Sequence, residues 1–136
     1  DPRIAFLITD ILKEAAARGT AKKVAELKRP DFAGKTGTTN KAESTWFTGY
    51  NDQIVTSVWV GFDQPRSLGD REFGSSIALP IWLSYKKNII DDMPLSKKLP
   101  PEGLSVIKID KDSGEKAKPG SKNLMFEYFL EENIPN

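Results

Sequence analysis

Cysteine and histidine are both absent from this 136-residue chain. Without cysteine there can be no disulfide, no thiolate metal site and no thiol nucleophile. Without histidine there is no Ser-His-Asp triad, no imidazole-bound zinc and no imidazole general base. Any chemistry here must run on Lys, Ser, Thr, Tyr, Asp or Glu. No apolar run approaches the ~20 residues of a membrane span, and no secretion signal opens the chain. An excess of charge is missing as well: 20 Lys and Arg against 19 Asp and Glu leave a formal charge of +1. That balance gives no sign of a nucleic-acid partner. The remaining composition is that of a folded protein, with 10% aromatic residues and a mean hydropathy of −0.44. Its length suits one modest domain or a piece of a larger one.

Ile4, Leu7, Ile8, Ile11, Leu12 and Ala15 recur at three- and four-residue spacing and predict a helix over 1–18 with one buried stripe. Asp1 suits the N-cap, Pro2 the first helical position and Gly19 the residue past the end. A short helical turn over 21–27 precedes Pro30. Residues 32–39, 45–50 and 54–62 read as strands. The last is rich in β-branched residues (Ile54, Val55, Thr56, Val58, Val60) and reads as central and well buried. The Asn51-Asp52-Gln53 link has hairpin length, so the three strands predict an antiparallel meander. A loop over 63–74 leads to a second helix over 75–91, whose regular part can start at Pro80. After Met93 the residues Pro94, Pro100, Pro101 and Gly103 mark a linker. A small hairpin follows, with a strand at 106–109, a turn at 110–114 and a return to Lys118. Residues 123–132 read as a short helix or an extended tail. The expected fold class is α/β of the α+β type, an antiparallel sheet flanked by helices, with residues 94–136 as linker and hairpin extension.

The run most suited to chemistry is Lys35-Thr36-Gly37-Thr38-Thr39-Asn40. On a strand, Thr36 and Thr38 share one face and Lys35 points to the other. Two neighbouring hydroxyls can bind a carboxylate, and Gly37 between them lets a ligand lie against the backbone. A free N–H at Thr38 can donate to a developing oxyanion. Lys35 adds positive charge that attracts an anionic substrate. The same residues also suit a surface turn with a solvated lysine, and the tripeptide alone does not choose between the two.

Further segments stand around this run: Arg18-Gly19-Thr20, Gly34 before Lys35, Trp46-Phe47-Thr48-Gly49-Tyr50, Val58-Trp59-Val60-Gly61-Phe62-Asp63, Arg71-Glu72-Phe73-Gly74 and Ala78-Leu79-Pro80-Ile81-Trp82. In their order and spacing the chain, from Asp1 to about Met93, resembles the C-terminal part of the transpeptidase domain of class A (bifunctional) penicillin-binding proteins, most closely the 1A type. Lys-Thr-Gly is a signature of that superfamily. The hairpin with Ile109-Asp110 and Gly114 looks like the C-terminal extension these proteins carry. The resemblance implies a β-lactamase/transpeptidase-like fold, incomplete in this chain, and a serine acyl-transfer enzyme that cross-links peptidoglycan without cofactor or metal. A serine attacks the D-Ala-D-Ala donor stem and passes the acyl group to an amine on a neighbouring stem, and β-lactams mimic the donor. Carried onto this sequence, Lys35 joins the proton-shuttling and carboxylate-attracting network. Thr36 and Thr38 hold the donor carboxylate beside Gly37, and the Thr38 amide supplies half of the oxyanion hole. Also implied are a glycosyltransferase domain, a membrane anchor outside this chain and a place on the periplasmic face of the cytoplasmic membrane.

The family's nucleophile lies in Ser-x-x-Lys and its second motif is Ser-x-Asn, both upstream of Lys-Thr-Gly. Neither precedes Lys35 here. Ser84-Tyr85-Lys86-Lys87, Ser105-Val106-Ile107-Lys108, Ser113-Gly114-Glu115-Lys116 and Ser121-Lys122-Asn123 match the patterns but all follow Lys35, so they read as decoys. The expected partners are therefore an upstream part of the same protein carrying the two serine motifs, peptidoglycan stem peptides and β-lactams. Two other readings stand beside this one, a serine β-lactamase and a non-catalytic β-lactam sensor. Asp110, Asp112 and Gly114 faintly echo a calcium loop but suit a hairpin turn better. Trp46 and Phe47 should point to opposite sides of their strand.

Overall fold

The computed structural model describes all 136 residues. Two helices and five strands appear in the order α1 (Pro2–Arg18), β1 (Ala33–Thr38), β2 (Ser44–Tyr50), β3 (Val55–Gly61), α2 (Ala78–Lys87), β4 (Leu104–Asp110) and β5 (Leu124–Leu130), with 3-10 turns at Lys22–Leu27 and Glu131–Asn133. The result is a mixed α+β fold with two small antiparallel sheets. The residues group into two units, 9–97 and 1–8 with 98–136. No helix is long and apolar enough to cross a membrane.

In the unit spanning 9–97, β1, β2 and β3 form the expected meander, in spatial order β1-β2-β3. The order corrects one expectation: β2 is central, while β3 is an edge strand whose Val55 is 68% exposed. Thr56, Val58 and Val60 turn to the covered face and Val55 to the other, as alternation along the strand requires. Burial in β2 follows the same period, with Phe47 fully buried and its neighbour Trp46 46% exposed.

The core is built where α2 crosses the inner face of this sheet. Trp82 is fully buried and meets Phe32 and Phe47 edge-on, with ring centroids at 5.3 and 5.0 Å. Its indole N–H donates to the Thr56 carbonyl at 3.1 Å, so the one polar atom of the ring is satisfied. The sheet admits the indole because residue 49 is glycine: a Cβ there would stand 2.5 Å from Trp82 Cζ2. Ala16, Ala21, Val24, Leu79 and Leu83 complete the cluster.

Both helices differ from expectation. On α1, Asp1 caps as foreseen, its Oδ1 accepting the Arg3 amide at 2.8 Å. The foreseen stripe is covered only in part: Leu7, Leu12 and Ala15 are half-buried and Ala16 is buried, whereas Ile4, Ile8 and Ile11 are 45, 50 and 59% exposed. Periodicity marks an apolar face but does not supply an element to cover it. Helix α2 is shorter than the expected 75–91. Pro80 falls in its first turn, where a missing N–H costs no intrahelical bond. Its buried face is Leu79, Trp82, Leu83 and Lys86, whereas Ile81 and Tyr85 are exposed.

The other unit holds β4 and β5, paired antiparallel with Leu104 opposite Leu130 and Asp110 opposite Leu124. The expected hairpin over 106–118 forms only in short form, with Asp110 N–H donating to the Glu115 carbonyl and Ala117 N–H to the Lys108 carbonyl, each at 2.9 Å. The stretch returning after the turn makes one bridge, Ile109 to Lys116, and residues 124–130, read as helix or tail, form the true partner strand. The turn itself is as foreseen: Gly114 N–H donates to the Asp110 carbonyl at 2.8 Å, and Asp112 N–H to Asp110 Oδ1 at 2.9 Å. Phe6 meets Tyr128 edge-on at 5.0 Å, and Arg3 pairs with Glu132 at 3.0 Å.

Candidate functional site

Strand β1 carries Lys35, Thr36, Gly37 and Thr38 and forms one edge of the three-stranded sheet. Residue 38 faces Thr45 across the sheet and residue 36 faces Phe47. Just past the strand, Thr39 N–H donates to the Ser44 carbonyl at 3.1 Å. Hydrogen-bonded and non-bonded pairs alternate along an antiparallel ladder. Residues 39, 37 and 35 are therefore bonded to β2, and the N–H groups of Thr36 and Thr38 point away from it, to the open edge. An outward amide at Thr38, level with two hydroxyls, is an arrangement suited to an anionic oxygen.

The two hydroxyls are held from different elements. Thr36 Oγ1 lies 2.8 Å from Thr20 Oγ1, in the turn that follows α1. Thr38 Oγ1 accepts the Gly74 N–H at 3.0 Å, in the connection between β3 and α2. Both partners lie far from β1 in sequence, and no local pattern relates them to it. Thr20 and Gly74 were visible only as members of the segments quoted above, without a role. Thr45, opposite Thr38, is fully buried and its Oγ1 has no hydrogen-bond partner.

Lys35 is exposed on the other face of β1, its Nζ donating to the Thr36 carbonyl at 2.9 Å. That face also carries Trp46 opposite Gly37 and Thr48 opposite Lys35. Trp46 and Trp59 lie side by side with centroids 6.3 Å apart, and Thr48 shares a hydrogen bond with Ser57 at 2.8 Å. A Cβ on Gly37 would come within 3.3 Å of Trp46 Cβ, so the glycine leaves room for the Trp46 side chain beside it.

Thr39 does different work from its neighbours. Its Oγ1 accepts the amides of Glu43 and Ser44 at 2.9 and 3.1 Å, closing the turn into β2. Ala42, in that turn, accepts the Leu68 N–H at 2.8 Å, which ties the long connection after β3 to the end of β1. Beside the site a hollow of about 250 Å³ is lined by Thr20, Lys22, Lys23, Ser75, Ser76 and Leu79.

The four decoy serines lie elsewhere. Ser84 is exposed on α2, its carbonyl accepting the Asn88 side chain at 2.8 Å. Ser105 lies in β4, and the hydroxyls of Ser113 and Ser121 accept backbone amides of turns, each at 3.2 Å. All four are thus in α2 or in the stretch from β4 onward, not in the Lys35 strand.

Two buried ionisable groups are shifted by their surroundings. Asp31, just before β1, is clasped by Arg29 and accepts from Asn51 Nδ2 at 3.1 Å and the Ser96 amide at 3.3 Å. Burial pushes its carboxyl up, but the Arg29 and backbone hydrogen bonds, with the Arg29 charge, outweigh this and hold it below the usual carboxylate range. Lys86 is fully buried, its ammonium donating to Thr56 Oγ1 at 2.7 Å. Burial pulls its pKa down.

No family model matches the chain. Over 135 residues it is 46% identical to Penicillin-binding protein 1A of Pseudomonas aeruginosa, which is 99% of this chain and 16% of that protein. Penicillin-binding protein 1A of Neisseria flavescens is 41% identical over 104 residues, 76% of this chain and 13% of that protein. The crystal structure of Penicillin-Binding Protein 1A from Haemophilus influenzae superposes with a TM-score of 0.89 at 35% identity, covering 98% of this chain and 21% of that one. The chain therefore spans between 13 and 21% of the length of these relatives.

Proposed function

We propose, from the premise that this chain is homologous to a segment of penicillin-binding protein 1A, that it is the Lys-Thr-Gly-bearing part of a peptidoglycan D,D-transpeptidase. In this reading a serine from an upstream part of the same protein attacks the D-Ala-D-Ala donor, releases D-Ala and forms an acyl-enzyme. An amine on a neighbouring stem then displaces the serine, and a β-lactam enters the same path and stalls there. Such a Ser/Lys mechanism needs no histidine, in keeping with a chain that has none.

The observation that carries the proposal is the edge of β1. Thr36 and Thr38 present their amides outward, and each has its hydroxyl anchored by a hydrogen bond from another element. The hydroxyls bind the carboxylate of the donor or the β-lactam, and the Thr38 amide faces the developing oxyanion. Lys35 supplies the positive charge that draws the carboxylate in and takes part in proton transfer. A membrane anchor and a glycosyltransferase domain belong to this proposal as parts outside the present chain, with the site on the periplasmic face.

The test is to mix this chain with the upstream part, add a penicillin and measure the intact mass of each polypeptide. The expected adduct is on the upstream part, with none here. An adduct on Ser84, Ser105, Ser113 or Ser121 overturns the assignment. Rapid release of hydrolysed penicillin would instead mark a β-lactamase.

A further inference from the structure

Gly74 lies in the connection between β3 and α2, which the transpeptidase reading leaves without a role. Its N–H reaches the Thr38 hydroxyl at 3.0 Å. Its α-carbon presses against the backbone of β1 and its neighbour β2: a Cβ at residue 74 would stand 2.5 Å from the Trp46 carbonyl oxygen, 2.7 Å from the Gly37 carbonyl oxygen and 3.2 Å from the Gly37 nitrogen. These neighbours are backbone atoms of two paired strands and cannot swing aside as a side chain can. The φ of Gly74 is not positive, so what glycine provides here is room, not an unusual conformation.

We propose that Gly74 is the positioning residue for Thr38, and the proposal rests on the carboxylate-binding role given to Thr38 above. A threonine hydroxyl has one proton and two lone pairs. A backbone N–H can only donate, so the Gly74 contact fixes the direction of this bond: Thr38 Oγ1 is the acceptor. The hydroxyl proton is thereby left for a different acceptor. An incoming carboxylate of the donor peptide or β-lactam is that acceptor. Accepting one hydrogen bond also polarises the O–H and strengthens the one it gives.

The connection around Gly74 is itself clamped. Phe73 N–H donates to Ser76 Oγ at 2.8 Å, and Ser76 Oγ is 3.1 Å from Glu72 Oε2. The Gly74 carbonyl accepts the Leu79 N–H at 2.8 Å where α2 begins. The amide is therefore presented to Thr38 by a segment whose own bonds are already made, which is what preorganised binding requires.

The test uses the full-length protein and a fluorescent penicillin, reading the limiting acylation rate and the half-saturating concentration separately. Gly74→Ala is expected to raise the half-saturating concentration about 10-fold and to lower the limiting rate less. Thr38→Val gives a similar rise, and adding Gly74→Ala to it is expected to change little more, because the hydroxyl to be positioned is gone. Thr38→Ser keeps the hydroxyl and should remain sensitive to Gly74→Ala. If Gly74→Ala does not fold, Ser76→Ala loosens the same turn without adding a Cβ at 74, and its half-saturating concentration should rise about 3-fold. Wild-type half-saturation in Gly74→Ala, or in Ser76→Ala where that variant stands in, overturns the proposal. So does a Gly74→Ala effect that simply multiplies with Thr38→Val. A wild-type full-length protein that forms no penicillin adduct overturns the transpeptidase reading instead.

Discussion

Arg29 and Asp31 are joined at two points, Nε to Oδ1 at 2.8 Å and Nη2 to Oδ2 at 2.7 Å, with side chains 11 and 1% exposed. A guanidinium fork matching a carboxylate in this way is the strongest ion-pair geometry available to side chains. Arg29 reaches beyond it to the carbonyls of Met93 and Pro94 at 2.8 and 3.0 Å. The pair thus fastens the segment after α2 to the start of the strand that carries Lys35.

Replacing Asp31 with Asn leaves the Arg29 charge buried without its partner. The expected loss in the full-length protein is about 3 kcal/mol, read by chemical denaturation. Asp31 is held below its ordinary value, so its contribution is fully present above the unfolded carboxylate value near ~3.9 and fades as pH falls through the lower folded value. The stability gap between wild type and Asp31→Asn should be constant above about pH 5 and shrink in stronger acid. A gap that does not shrink there contradicts the assignment.

Lys86 behaves in the opposite sense. Burial lowers its pKa, so between the folded value and the unfolded value near ~10.4 the unfolded chain binds the extra proton, and stability rises with pH. Lys86→Met fills the same volume without a charge and should be more stable by about 1 kcal/mol at pH 7, an advantage that narrows in alkali. Lys86→Ala should instead cost about 3 kcal/mol through the cavity it leaves. Melting temperatures across pH check both.

Lys35→Ala in the full-length protein should slow acylation by a penicillin by about 100-fold or more, because both the charge and the proton-transfer group are lost. Stopped-flow or gel-based acylation reads it. An unchanged rate removes the role proposed for this lysine.

Thr20→Val removes the hydroxyl 2.8 Å from that of Thr36 and keeps the shape. Acylation should slow about 3-fold to 10-fold, since one hydrogen bond is worth about 1 kcal/mol. Thr20→Ser should retain most of the rate.

Local patterns made several elements legible. The helix at the start, the meander and the placement of Lys35, Thr36, Gly37 and Thr38 on a strand follow from periodicity, turn residues and alternation. What stayed hidden depends on distant partners. Lys86 reads as a surface lysine in a basic run and is fully buried because its ammonium lies over the rings of Phe32 and Trp82 and finds Thr56. The partner of β4 lies beyond the turn and the first return stretch, and no short-range signal selects residues 124–130 over 115–118. The strand carrying five β-branched residues reads as central, yet strand order is set by pairing, not propensity. Thr20 and Gly74 touch the site only because the chain folds back to it.

Three tryptophans occupy two kinds of surroundings: Trp82 is sealed from solvent, while Trp46 and Trp59 are each 46% exposed on the face of the sheet that bears Lys35. Their emission should accordingly separate, with a blue-shifted component from Trp82 and a red-shifted, iodide-quenchable component from the other two. The fold therefore carries its own optical reporter. Anything that settles over the Lys35 face protects the red component and leaves the blue one unchanged, whereas loosening of the core under α2 moves the blue one first.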